Sequence, residues 1–309
     1  MNKIEFGDCR ETMRKWASEG IKAQTCVTSP PYYGLRDYGH DGQIGLEETP
    51  EEYIKSMVEV FRCVWDVLQD DGTLWLNIGD SYYNYRPGKG QALVKQSVAN
   101  NDQDLPQTCA RRGNKLEGLK EKDLIGIPWM LAFALRADGW YLRQDIIWHK
   151  PNPMPESVQD RCTKSHEYIF LLTKSSKYYY DHESIKDLVK DDWGTRDRAN
   201  GKYHNEGTGL QPHSGLEKSY ETANKRSVWS IPVKPYAGAH FAVFPSELIE
   251  PCILAGATVG GVVLDPFMGS GTTAQVAQTL GRKYLGCELN PAYKPLQNKR
   301  LAQQSLELI

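Results

Sequence analysis

Two short stretches near opposite ends of the 309-residue chain carry residue types that could do chemistry. The first, residues 28–33, reads Thr-Ser-Pro-Pro-Tyr-Tyr and directly follows the apolar run Thr25 to Val27. Proline fixes φ and removes a backbone donor, so consecutive prolines make a rigid loop. With a hydroxyl and two aromatic rings beside it, the same loop could also form a pocket with fixed carbonyls and an aromatic platform. The second stretch, "DPFMGSGTT" at 265–273, follows the apolar run "GVVL". Gly269 and Gly271 permit a tight turn and close approach of a ligand to the backbone. A helix starting there would offer free N–H groups. The next apolar run ends in another acid, Glu288, 19 residues after Gly269. Dinucleotide folds hold ribose hydroxyls with an acid at about that spacing.

Two alternatives fit this second stretch less well. A phosphate-binding loop needs Lys before its Ser/Thr, and "GSGTT" has none. A dinucleotide fingerprint wants a third glycine, where this chain has Ala274. The set suits a nucleoside carrying a zwitterionic amino acid, with the turn amides facing a carboxylate and the second acid facing a ribose. S-adenosylmethionine has that form. A third chemistry would use Cys252, after Pro251, as a covalent nucleophile on a ring. That cysteine lies in the helical run "PSELIEPCILAGA" and reads as a packing residue.

Bulk properties narrow the class. The chain is 40% hydrophobic and 25% charged, ordinary for a globular protein. Its net charge of −2 excludes a polybasic nucleic-acid binder. Seven cysteines without a CxxC pair argue against a disulfide framework and a zinc site, so no metal is expected. No apolar run approaches the roughly 20 residues of a membrane span. The start "MNKIEFGDCRETM" lacks a basic-then-apolar leader, which predicts a cytoplasmic protein.

The elements that must position the two stretches follow from periodicity. "IEFGDC" reads as a strand ending near Asp8, followed by a helix over 9–19 and a strand over 24–27. Thr49, Pro50 and Glu52 form a helix-start signature. Ile54, Met57, Val58, Phe61, Val64, Trp65 and Leu68 then recur at helical spacing. "TLWLNIGD" is a strand, "IPWMLAFALRADG" a helix, and "YLRQDIIWHK" and "EYIFLLTKS" are strands. "FAVFPSELIEPCILAGA" (helix), "GVVLDPF" (strand), 272–280 (helix), "KYLGCE" (strand) and a last helix complete the chain. This alternation predicts an α/β fold with a doubly wound, mostly parallel sheet. Two stretches lack such patterning. Residues 84–122 carry eight basic and four acidic side chains, a composition suited to a solvated loop or to an arm over a polyanion. Residues 181–239 are too long for a plain connection and read as an insertion or small subdomain.

Taken together, "TSPPY" and "DPFMGSGTT" resemble the DNA amino-methyltransferases, which methylate N4 of cytosine or N6 of adenine. "DGTLWLNIGDSY", "GWYLRQDIIWHKPNPMP", "SHEYIFLLTKS", "HFAVFPSELIEPC" and "GCELNPAY" extend the likeness over most of the chain. The motif order is similar to the β-type, circularly permuted arrangement of a Rossmann-like fold. The resemblance implies a catalytic half over 1–180, a target-recognition region over 181–239 and an S-adenosylmethionine-binding half over 240–309.

It also implies roles for particular residues. Ser29 Oγ and the Pro30 carbonyl would accept the target amino hydrogens, with Pro31 stiffening the loop. Tyr32 would stack on a flipped-out base and Tyr33 would wall the pocket. Asp8 would contact the cofactor adenine, and Asp265, Phe267, Gly269, Gly271 and Thr272 the methionine part and its turn. Glu288 would bind ribose with help from Asn290, while His240 and Ser246 would meet the methionine carboxylate. Arg111, Arg112 and Lys115 would neutralise DNA phosphates. Arg196, Arg198, Lys225 and Arg226 would read bases or phosphates. Lys150 and Asn152 would face DNA, unless the Pro-rich loop around them is simply rigid.

Asp is typical at the position of Ser29 in the adenine enzymes, and Ser is commoner in the N4-cytosine enzymes. The resemblance therefore implies cytosine N4, with adenine N6 as the alternative. RNA or a protein amide as substrate, and a degenerate DNA-binding module, are the remaining readings. The partners implied are DNA, a second copy in a homodimer, and a restriction endonuclease as a separate protein, since no endonuclease signature is present.

Overall fold

The computed structural model describes residues 1–35, 39–40, 42–83, 93–94, 108–109, 116–188, 221–234 and 244–305. In chain order the first half contains β1 (Lys3–Phe6), α1 (Cys9–Ser18), β2 (Ala23–Thr28), α2 (Pro50–Val67), β3 (Leu68–Ile78), β4 (Leu93–Val94), β5 (Thr108–Cys109) and α3 (Ile127–Ala137). Then come β6 (Tyr141–His149), β7 (His166–Thr173), β8 (Asp187–Leu188), β9 (Thr222–Ala223), β10 (Val228–Ser230) and α4 (Ser246–Gly256). The chain closes with β11 (Val262–Asp265), α5 (Thr272–Thr279), β12 (Lys283–Glu288) and α6 (Lys294–Ser305). Among the described residues β4 pairs with β5 and β8 with β9; the other eight strands form one sheet.

The sheet order is β1-β12-β11-β2-β3-β7-β6-β10. β7 runs antiparallel to β3 and β6, and every other pairing within this sheet is parallel. Side chains alternate along each strand, so the sheet feeds two cores. Cys26, Leu74, Phe170 and Leu264 face the core built with α1, α2 and α3. Val27, Trp75, Leu171 and Val263 face the core built with α4 and α5, which Leu301 of α6 joins. The fold is thus the expected α/β arrangement with helices on both faces.

The chain ends meet inside this sheet. β1 pairs with β12 in parallel register, Lys3 opposite Leu285 and Phe6 opposite Glu288. β2 pairs with β11, Thr25 opposite Val263 and Cys26 opposite Leu264. From β2 the strand order runs through β3 to one edge, and from β11 through β12 and β1 to the other. In open α/β sheets a ligand crevice forms at such a reversal, beyond the carboxyl ends of the strands. The stretches Ser29–Tyr32 and Pro266–Thr272 emerge from those ends.

Local sequence accounts for the helices that frame this point. Thr49 and Glu52 make the reciprocal capping box of α2, with Pro50 at its first turn. Leu68 does not continue that helix: it turns extended and pairs with Ala23 of β2. β10 was not foreshadowed by periodicity. Three residues with one buried side chain, Trp229, give too short an alternation to register against their polar surroundings. No helix among the described residues is long and apolar enough to cross a membrane.

Candidate active site

A cavity of ≈ 440 Å³ opens at the reversal point, and both motif stretches line it. Its first half is built from β11, β12 and the turns after them. Asp265, 1% exposed, ends β11 and is held on three sides. Thr28 Oγ1 donates to its Oδ1 at 2.6 Å, the Phe267 N–H to the same oxygen at 3.0 Å, and Thr273 Oγ1 to Oδ2 at 2.6 Å. The Thr28 bond crosses 237 residues of sequence and locks the two motif stretches together. Burial pushes the Asp265 carboxyl up to about 6 despite these donors.

Glu288 closes this half. Its Oε2 accepts the Gly269 N–H at 2.7 Å and its Oε1 the Asn290 N–H at 2.8 Å. Burial again dominates, raising this carboxyl to about 7. Gly269 at φ +53° and Gly271 at φ +91° occupy the left-handed region that favours glycine. Gly271 caps α5 with no side-chain hydrogen bond, so the first amides of the helix stay available to an anionic group. α6 braces the turn: Gln297 Nε2 donates to the Gly269 carbonyl at 2.7 Å, and Arg300 to Thr272 Oγ1 at 2.6 Å. Asp8 closes the far side while capping α1, accepting the Arg10 N–H at 2.8 Å. Burial would raise its carboxyl, but the hydrogen bonds and charge of Arg10 outweigh that and hold it low.

The second half is the loop after β2 with β3, β6 and β7 beneath it. Pro30 is buried and Ser29 half-buried. Tyr53 Oη of α2 donates to the Pro31 carbonyl at 2.9 Å, which pins the loop to a helix. The Tyr32 ring lies over Gly79, where a Cβ would come within 2.7 Å of it. Tyr32 Oη donates to Glu167 Oε2 at 2.8 Å, and Lys150 Nζ holds the other oxygen of Glu167. Asn77 Nδ2 donates to Glu167 Oε2 at 3.3 Å and to the Tyr168 carbonyl at 3.1 Å. The Lys150 ammonium also stands 4.3 Å from the centre of the Trp148 ring.

Of the residues singled out from sequence, Asp8, Ser29, Pro30, Pro31, Tyr32, Lys150, Asp265, Phe267, Gly269, Thr272, Glu288 and Asn290 line this cavity. Gly271 sits behind the turn against Gln297. Ser246 opens α4 and bonds Glu247 rather than lining the cavity. Tyr33, expected as a pocket wall, is turned into the core at 3% exposure, with its ring 5.4 Å from Tyr53. Lys225 pairs with Asp187 at 3.0 Å, and the Arg226 N–H donates to the same carboxylate. Asn152 ties its loop to the backbone of Val233, donating to the carbonyl at 2.9 Å and accepting from the N–H at 2.8 Å. Cys252 is 1% exposed and burial pushes its thiol far up, which suits packing and not nucleophilic attack. His240, Arg111, Arg112, Lys115, Arg196 and Arg198 lie outside the described residues.

Sequence reading missed Asn77, Trp148, Glu167, Phe244 and Ser270, all of which line the cavity. Glu167 offered one signal, an acid opening the apolar run "YIFLLT". Ser270 is 2% exposed, and among the described residues its Oγ has no hydrogen-bond partner. A buried hydroxyl without a partner is costly unless a ligand supplies one. Beside free helix-start amides and the Glu288 carboxylate, it fits a ligand carrying both a carboxylate and a ribose. Among the described residues no cluster of His, Cys, Asp and Glu could hold a metal ion.

One crevice at a sheet reversal thus joins the glycine turn to a Ser-Pro-Pro-Tyr pocket, and comparison with known proteins specifies the class. The profile of the N6/N4 methyltransferase family, described as DNA methylase, matches residues 23–299, and the chain belongs to that family. It is 48% identical over 302 residues to the Type II methyltransferase M.SmaI of Serratia marcescens, covering 98% of this chain and 91% of that protein. To M.Cfr9I of Citrobacter freundii it is 47% identical over 303 residues, covering 98% and 88%. The fold matches the PvuII DNA methyltransferase (cytosine-N4-specific) at TM-score 0.61 and 16% identity, over 96% of this chain and 85% of that one. It matches an M1.HpyAVI complex with S-adenosylmethionine at TM-score 0.55 and 18% identity, over 97% and 100%. The protein is a DNA methyltransferase of the N4/N6 family.

Proposed function

We propose that this chain is a Type II methyltransferase that moves a methyl group from S-adenosylmethionine to N4 of cytosine in DNA. The carrying observation is that one cavity is lined both by the Asp265–Glu288 half, shaped for a nucleoside amino acid, and by Ser29 with the Pro-Pro loop. Bound S-adenosylmethionine supplies an electrophilic methyl group on a sulfonium. The chain's residues do the rest. Glu288 accepts ribose hydroxyls, the α5 amides and Ser270 take the carboxylate, and Asp8 faces the adenine end.

An exocyclic amino nitrogen is a poor nucleophile because its lone pair is delocalised into the ring. Ser29 Oγ and the Pro30 carbonyl accept its two hydrogens and hold the nitrogen in line for attack. Because Tyr53 pins the loop, these acceptors are preorganised and need little rearrangement during the reaction. The target base must leave the duplex to reach them, at a cost of a few kcal/mol. Ser in place of Asp at position 29 supports cytosine as the target. The Type II names of the relatives support a place beside a separate restriction endonuclease.

The test is to incubate purified protein with S-adenosylmethionine and unmethylated DNA, then analyse the nucleosides by mass spectrometry. N4-methylcytosine is expected, with Ser29→Ala losing most of it. N6-methyladenine instead would keep the fold and reaction and overturn the base. Neither product, across several DNAs, would overturn the function.

A further inference from the structure

The floor of the Ser-Pro-Pro-Tyr half holds a half-buried ion pair to which the reaction above gives no role. Glu167 and Lys150 are 16% and 18% exposed at their side chains, and both lie below the loop that grips the base. Taking two charges out of water costs several kcal/mol per ion unless geometry and further hydrogen bonds compensate. A pair retained there suggests a specific task.

The hydrogen-bond directions show what that task is. An ionised carboxylate only accepts, so the single hydrogen of Tyr32 must point toward Glu167 Oε2 at 2.8 Å. The nearby Asn77 oxygen, 3.3 Å away, is also an acceptor and draws that hydrogen the same way. Tyr32 Oη is then left with lone pairs, and Ser29 Oγ donates to it at 3.4 Å. A serine hydroxyl has one hydrogen. Once it is committed to Tyr32, only lone pairs remain to meet an incoming amino group. Without that commitment the Ser29 hydroxyl could rotate and present its hydrogen to the substrate nitrogen, blocking the lone pair that must attack. Burial, followed by the Glu167 charge, pushes the Tyr32 hydroxyl far above its usual range, so this phenol remains a donor at any physiological pH.

We propose that Glu167, held by Lys150, is a positioning residue that acts through Tyr32 to fix Ser29 as a hydrogen-bond acceptor toward the target amino group. The inference rests on the amino-methyltransferase reading above. It gives Tyr32 a second role beside stacking, and it places the Lys150 charge under the carboxylate instead of on the DNA.

The experiment compares wild type with Glu167→Gln, Tyr32→Phe, Ser29→Ala and the Ser29→Ala/Glu167→Gln double variant. It measures methyl incorporation into unmethylated genomic DNA against DNA concentration, DNA binding by filter retention, and thermal stability. Glutamine can donate to Tyr32 and reverse the chain of hydrogens. Phenylalanine keeps the ring but removes the acceptor. Each single change should lower kcat by about tenfold or more, with KM and DNA retention little moved. Because Glu167 acts through Ser29, its change should cost nothing further in the Ser29→Ala background. An unaltered kcat in Glu167→Gln, or full additivity in the double variant, overturns the proposal. If Glu167→Gln does not fold, Tyr32→Phe decides in its place: a kcat loss at unchanged KM supports the proposal, and a wild-type kcat overturns it. A wild type that yields no methylated nucleoside would instead overturn the function itself, so the two failures are distinct.

Discussion

The Glu288 charge is coupled to folding and, in the proposed site, to ligand binding. In the unfolded chain its carboxyl would titrate near 4.5, and in the folded protein burial raises it to about 7. Between those values the folded state holds a proton that the unfolded state has lost. The stability from this group is therefore complete below about 4.5 and is lost as pH rises through about 7. Ribose hydroxyls that donate to the site prefer the carboxylate, so S-adenosylmethionine should bind more tightly as pH rises through about 7. Titration calorimetry over that range should show the change, and Glu288→Gln should flatten it; a flat wild-type profile would count against the ribose assignment. The acid itself was legible in sequence because its distance from Gly269 is set by one strand–turn–helix–strand unit. The environment of Tyr32 was not. Its partners Asn77 and Glu167 come from other strands 45 and 135 residues away, and no local spacing encodes such a meeting.

At the scale of elements, the junction of β2 with β11 carries the site. Thr28, the last residue of β2, bonds the last residue of β11. Thr28→Val keeps the β-branched shape and deletes one donor to a buried carboxylate. The expected cost is about 1–3 kcal/mol in urea unfolding, together with weaker S-adenosylmethionine binding. Unchanged stability would mean that Thr273 and the Phe267 amide suffice. Most elements could be read from periodicity because their faces are strongly patterned. α2 announced itself through Thr49, Pro50 and Glu52, and its apolar row does fall into the core around Met57, Phe61 and Val64. Tyr33 misled because two adjacent tyrosines look alike in sequence. Only the path of the loop decides that one lines the cavity and the next enters the core.

At the scale of the molecule, one cavity draws walls from residues 7–9, from 29–32 and from 265–270 with 288–290. A ligand that binds only the folded state stabilises all of its walls together. Hydrogen exchange with S-adenosylmethionine should therefore slow amides around Gly7, Ser29 and Gly269 in concert. Slowing confined to the C-terminal stretch would contradict a shared site. The same architecture sets an order of events during synthesis. β2 lies between β3, which follows it closely, and β11, whose residues leave the ribosome more than two hundred residues later. Until then one edge of the central strand waits without its partner, a long-range pairing of the kind that slows folding and invites aggregation. β1 waits longer still, for β12. A chain interrupted before β11 would carry its Ser-Pro-Pro-Tyr loop without the Asp265–Glu288 half proposed to hold the methyl donor, and so would be released inert instead of half-active.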